Sequence, residues 1–202
     1  MKSDWFAAPL RSLSLAIGLL SVAACASGPK PDMSTTAPSP DPRVGLGAGW
    51  MSPGEAAWNL RVVSRTPPSE AFINKSTPGD RRLVNSDLGF SGNYVFQGNY
   101  SGHQVWDISN PKKPRLVKAY VCPGSQSDVS VYKHLLFVSG ESTSGRLDCG
   151  LQGVPDSVSH DRLRGIRIFD ITDVTNPKYI ANVQTCRGSH THTVVPDLKD
   201  PA

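Results

Sequence analysis

Charge of one sign is scarce in this chain: 21 Lys and Arg stand against 17 Asp and Glu over 202 residues, a formal net charge of +4. The basic residues are interleaved with acids, and no Lys/Arg stripe with aromatic spacing appears, so no nucleic-acid partner is expected. Neither a Gly-x-x-x-x-Gly-Lys-Ser/Thr phosphate loop nor a Gly-x-Ser-x-Gly nucleophile elbow occurs, which removes P-loop enzymes and elbow-type serine hydrolases. Ser189 follows Gly188, but Ser125 follows Gly124 in the same setting, which marks both as turn residues. Helical periodicity is nearly absent beyond a turn at Pro53–Asn59. Long apolar runs are lacking too. The one candidate, Leu13 to Ala24, is too short to span a bilayer.

That run has the layout of a secretory signal, with Lys2 and Arg11 before it. It ends in Val22-Ala23-Ala24-Cys25, which resembles the lipobox of bacterial lipoproteins. The resemblance implies thioether lipidation of Cys25, cleavage before it and acylation of the new amino terminus. Ala26-Ser27 follows with no Asp, which in that family favours the outer membrane, facing the periplasm or the cell surface. The expected organisation is a signal peptide over 1–24, a lipidated flexible tether over 25–45 and a repeat domain over 46–202. The tether is rich in Ala, Ser, Gly and Pro and too poor in apolar groups to form a core.

Within the repeat domain, Gly102-His103-Gln104-Val105-Trp106-Asp107-Ile108 returns as Gly165-Ile166-Arg167-Ile168-Phe169-Asp170-Ile171. Each copy meets a proline seven residues after its aspartate, Pro114 and Pro177, and then a Cys-x-Gly-Ser, at Cys122 and Cys186. Upstream, Tyr94–Gly98 matches Leu136–Gly140, 42 positions apart, whereas Trp106 and Phe169 are 63 apart. The excess is an insertion between Gly140 and Gly165. A period of ~40–45 residues holding several short strands is the pattern of a β-propeller blade. The expected fold class is therefore all-β, with propeller blades incomplete in this chain. In the first blade, strand a is expected near Ser86–Ser91, b at Tyr94–Gly98, c at His103–Ile108 and d at Arg115–Val121. The second runs a at Ser127–Tyr132, b at Leu135–Ser139, c at Ile166–Ile171 and d at Lys178–Thr185. A third begins with Thr191–Val195, and with at least four blades needed the chain reads as the front part of a longer protein. Trp106 and Phe169 should occupy equivalent core positions, and Asp107 and Asp170 should shape the turns after strand c.

The phrases QVWDISNPKKPRLVKAY and RIFDITDVTNPKYIANV resemble the bacterial LVIVD-repeat family, over roughly Asp80 to the end. The resemblance implies the propeller-like fold and little about activity. Trp106 and Phe169 depart from that family's usual aliphatic residue.

Candidate chemistry lies where d-to-a and b-to-c connections share one face. Asp87, Asp128 and His192, with Asn85, Gln126 and His190 beside them, come from three equivalent loops and should ring one mouth of a central channel. His190-x-His192 with carboxylates is ligand chemistry for a transition metal, although known sites take three or four ligands. The insertion, 141–164, carries Arg146, Asp148, Cys149, His160, Asp161, Arg162 and Arg164, a binding loop or a solvated cover. With Cys25 lipidated, Cys122, Cys149 and Cys186 remain in a compartment where disulfides persist, and three cannot all pair. Cys149 and Cys186 belong to loops of the same blade and are the expected pair, with Cys122–Cys149 the rival. The function expected is an exported, membrane-anchored binding or scaffold module for a protein or small-molecule ligand. The alternative is a metal-dependent propeller enzyme, an oxidoreductase, with His190 and His192 as ligands.

Overall fold

The computed structural model describes residues 33–49, 52–77, 80–197 and 199. The signal segment and Cys25 lie outside the described residues. Short runs rich in Val, Ile, Tyr and Phe become strands because their branched and aromatic side chains fit a pleated surface, and Gly, Asn and Pro between them make turns. They form two antiparallel sheets. Sheet one joins β1 (Asn85–Ser91), β2 (Tyr94–Asn99), β3 (Gly102–Asp107) and β4 (Arg115–Val121) in chain order. Sheet two joins β5 (Val129–Tyr132), β6 (Leu135–Gly140), β7 (Gly165–Asp170) and β8 (Lys178–Gln184) in the same order.

The sheets stack face to face, with β1 against β5. Phe96 and Val105 of sheet one meet Val129, Leu136, Val138, Phe169 and Ile171 of sheet two in one core, all buried. Internal repetition extends to the backbone. Tyr94 pairs with Asp107 as Leu135 pairs with Asp170, and a bulge interrupts the third pairing at Val105/Trp106 and again at Ile168/Phe169. Gly102 and Gly165 open the third strands at φ 142° and 152°. A β-carbon at either would stand about 2 Å from a carbonyl oxygen, that of Tyr120 (2.0 Å) or Val183 (1.9 Å), so only glycine fits.

Three expectations need correction. The second strands align one residue differently: Asn99 pairs with Gly102 as Gly140 pairs with Gly165, which makes Phe96 the equivalent of Phe137 at 41 positions. Matching Gly98 to Gly140 was misleading because the two glycines serve different ends. Gly98 admits the Ser127 carbonyl, 2.0 Å from where a β-carbon would sit. One residue of slip exchanges the two faces of a strand. Residues 191–195 form no strand, since no strand among the described residues lies beside them to supply the ladder. Pro53–Asn59 is not helical either; the 3-10 turns are Glu70–Phe72 and Arg81–Leu83, each started by a side chain, Ser69 or Asp80, that accepts a backbone N–H.

Candidate functional site

The β4–β5 connection, the segment after β8 and the β6–β7 insertion meet at one end of the sheets. Glu141 N–H donates to Gly124 O (3.0 Å), and Ser189 N–H donates to Gly140 O (3.2 Å). At the opposite end are the β3–β4 and β7–β8 turns, built alike. Asp107 Oδ1 accepts from Ser109 N–H at 2.9 Å and Asp170 Oδ1 from Thr172 N–H at 2.8 Å. These bonds from Ser109, with Arg115 beside them, hold the Asp107 carboxyl at about 2.

The ring residues converge as their equivalent loops require, but they are engaged in holding the chain. Asp87 Oδ2 accepts from Val129 N–H (3.4 Å), and Asp128 Oδ2 accepts from His192 N–H (3.2 Å). Asp87 thus ties β1 to β5, and Asp128 ties the β4–β5 connection to the segment after β8. Burial holds Asp128 above the ordinary carboxylate range; the neighbouring Asp87 pushes the same way and the His192 N–H opposes. Gln126 contributes its carbonyl to the Ser86 hydroxyl, and Asn85 Oδ1 accepts from Asn99 Nδ2 at 2.9 Å.

The two histidines separate. His190 is exposed, its Nδ1 2.7 Å from Glu141 Oε1. His192 is partly buried, its side chain 8% exposed, with Nδ1 2.8 Å from Ser139 Oγ and 3.8 Å from Asp128 Oδ2, while Nε2 is buried without a hydrogen-bond partner. Burial pulls its pKa below the usual histidine value, against the two aspartates. A Ser-His-Asp relay needs hydroxyl and carboxylate on different ring nitrogens. Here both approach Nδ1, so the trio is not arranged as such a relay. Among the described residues, no group of three or more His, Cys, Asp and Glu side chains is arranged to hold a metal ion.

The insertion is folded. Arg146 and Arg162 form an antiparallel bridge, Leu147 N–H donates to Asp161 O (2.8 Å), and Val154 and Leu163 are buried. Arg162 spends its guanidinium on the carbonyls of Thr143 (2.7 Å), Ser157 (2.7 Å) and Asp156, and Arg164 on that of Arg187. Arg146 pairs with Asp148 and Asp161. Cys149 bonds Cys122, and Cys186 is free and exposed, which corrects the expected Cys149–Cys186 pair. The part of the insertion around Cys149 folds back onto the connection before its sheet, which brings Cys149 to Cys122, while Glu141 and Arg164 bond the segment after β8.

Arg167, unmarked by any sequence motif, explains that direction. It is fully buried on β7, and its guanidinium donates to Cys122 O (3.4 Å), Pro123 O (2.9 Å) and Arg146 O (3.0 Å). It therefore joins the strand, the connection and the insertion beneath the disulfide. Gly124 leaves room for it, since a β-carbon there would lie 2.4 Å from Arg167 Nη1. Burial lowers the Arg167 pKa, with Tyr179 and Tyr120 opposing. His103, buried nearby, stacks on Tyr120 (ring centroids 5.2 Å) and meets the edge of Phe169 (4.8 Å). Burial, and then the Arg167 charge, bring its pKa down to about 3, so it is neutral in place. The only sequence signals for either were a charged residue and a histidine at alternate positions of strands otherwise apolar on that face.

No family model matches this chain, and no curated protein matches it either.

Proposed function

We propose that the chain is the repeat-bearing part of an exported, lipid-anchored β-propeller of the LVIVD type, acting as a binding or scaffold module at the outer membrane. Its binding surface is the end that carries the insertion. One observation supports this most: at that end three connections converge around a disulfide and a buried arginine, whereas the other end repeats one turn twice. Rigid loops on a β scaffold suit recognition, because little conformational entropy is lost on binding. Adjacent β1 and β5 in stacked sheets are what neighbouring propeller blades present.

Photocrosslinking in cells tests the assignment, with the probe at Ser144 in the insertion or at Lys112 in the β3–β4 turn. Adducts should form from position 144. Adducts from position 112 alone would move the binding surface to the other end. Cys25→Ser should shift the mature protein out of the membrane fraction, and unchanged detergent partitioning would end the lipid-anchor reading.

A further inference from the structure

Between the two repeats, the insertion end opens into a groove in two parts. The wider part, about 470 Å³, runs between the Arg81-Arg82 turn before β1 and the start of the insertion, Ser142 to Ser144. A narrower part of about 180 Å³ continues toward Ala71, Val121 and Leu151. Arg82, Tyr100 and Pro123 line both, so the two are one groove that turns from polar to apolar along its length.

Its walls are held without spending the groups that face it. Arg167 bonds Pro123 O at 2.9 Å, and the Cys122–Cys149 bridge fixes the insertion two residues before Leu151. Ser101 Oγ donates to Arg82 O (3.3 Å) and fastens the opposite wall through its backbone. The Arg81 guanidinium has no hydrogen bond or ion pair among the described residues. Arg82 has one exposed ion pair, with Asp80 at 3.8 Å. Leu151 is 71% exposed although the bridge lies beside it. A leucine held in water on a rigid loop gains its burial when covered and loses little freedom. Glu141 is the one acid in the lining, and it is engaged: its Oε1 accepts from Ser125 Oγ (3.2 Å) and lies 2.7 Å from His190 Nδ1.

We infer that the groove takes an acidic segment of a protein partner, an Asp or Glu beside an aliphatic residue. The carboxylate pairs with Arg81 and Arg82, and the aliphatic side chain covers Leu151. A guanidinium grips a carboxylate through two parallel N–H donors. A phosphate would bring a second negative charge beside Glu141 and is disfavoured. An anionic membrane surface calls for about 4–8 basic residues together, and the groove offers only Arg81 and Arg82. Such a ligand occupies the end assigned to binding above, and so depends on that assignment.

Selection of displayed random heptapeptides on the mature full-length chain in mild detergent provides the test. Enriched peptides should carry Asp or Glu next to Leu, Ile or Val, and their binding should weaken as salt rises. Arg81→Glu with Arg82→Glu should abolish that binding and enrich basic peptides instead. Leu151→Ser should weaken it about tenfold. Peptides without an acid, binding untouched by the charge reversal, or no enrichment over a blank surface would each overturn the inference. So would charge-sensitive sedimentation with phosphatidylglycerol vesicles in place of peptide binding, which would assign the arginines to lipid. Near-UV circular dichroism checks each variant's fold, and Arg81→Ala with Arg82→Ala replaces a charge reversal that fails it. The photocrosslinking arms separate the two readings. Adducts from position 112 alone end both, whereas adducts from position 144 that persist in the charge reversal end only this one.

Discussion

Sheet one and sheet two share a backbone plan and differ in what is fastened to them. At the same position in their third strands, sheet one has Gln104 and sheet two has Arg167, both fully buried. Gln104 Oε1 accepts from Ser69 N–H at 3.2 Å and so holds the segment before β1. Arg167 holds the insertion through three carbonyls. The connection between second and third strands is the short Tyr100-Ser101 in sheet one and the folded insertion in sheet two. What repeats is therefore what the pleat demands: the glycine, the bulge and the aspartate turn. What varies is the buried polar side chain that anchors an added segment. Buried polar groups are costly unless paired, which makes such positions effective anchors once their partners are in place.

The comparison is tested most strongly by the two equivalent aromatics. Phe169 lies in the core between the sheets, fully buried, with His103, Tyr120 and Tyr179 around its ring, whereas Trp106, 9% exposed, lies on the back of sheet one, the face turned away from sheet two, and donates Nε1–H to Gln97 at 3.1 Å. Phe169→Ala should cost about 3–5 kcal/mol in urea unfolding, and Trp106→Ala measurably less. Equal costs would mean that the back of sheet one is as closely packed as the core.

Next in size is the disulfide, which closes 27 residues. Cys122→Ser with Cys149→Ser should lower stability by about 2–4 kcal/mol and expose the insertion to protease before the sheets unfold. Peptide mapping without reduction should recover Cys122 linked to Cys149 and Cys186 open to alkylation.

A third prediction concerns pH. His103 has a folded pKa of about 3 against an ordinary 6.5. Between these values the unfolded chain binds the proton and the folded chain does not, so stability falls as pH falls from 6.5 toward 3. The slope from this group is at most about 1.4 kcal/mol per pH unit. His103→Phe should flatten the stability profile between pH 6.5 and about 5.5, above the range in which ordinary carboxylates titrate. A profile unchanged by the substitution would place the imidazole in contact with water. The Ile166 equivalent in sheet two has no titratable group, so substituting it should leave the slope alone.

The smallest effect should come from the turns. Asp107→Ala and Asp170→Ala each remove a turn hydrogen bond of the same form, and Asp107→Ala also removes the exposed ion pair with Arg115. Small shifts in Tm are expected, that of Asp107→Ala no smaller than that of Asp170→Ala, and the reverse order would show that the two turns only look alike.

Seven of the eight strands begin and end within a residue of their sequence-based limits, because alternation and turn chemistry act over a few residues. The exception is β5, two residues late at its start. The second-strand alignment failed separately, because matching glycines hid a one-residue slip. Convergence of Asp87, Asp128 and His192 was legible, since a repeat puts equivalent loops at equivalent places. Their use as ties between repeats was not, because it depends on backbone N–H groups 42 and 64 residues away. That the guanidiniums of Arg162 and Arg164 bond backbone carbonyls was not legible either, because it depends on how the insertion folds.

By itself the sequence determined the all-β class, the repeat, the short strands and the aspartate turns, all set by local conformational preference and hydrophobic alternation. Tertiary structure alone decided which face each second-strand residue shows, which cysteine Cys149 meets and which buried polar side chain anchors each added segment. Those outcomes depend on distances between parts of the chain far apart in sequence, and only packing the two sheets together brings such parts into reach.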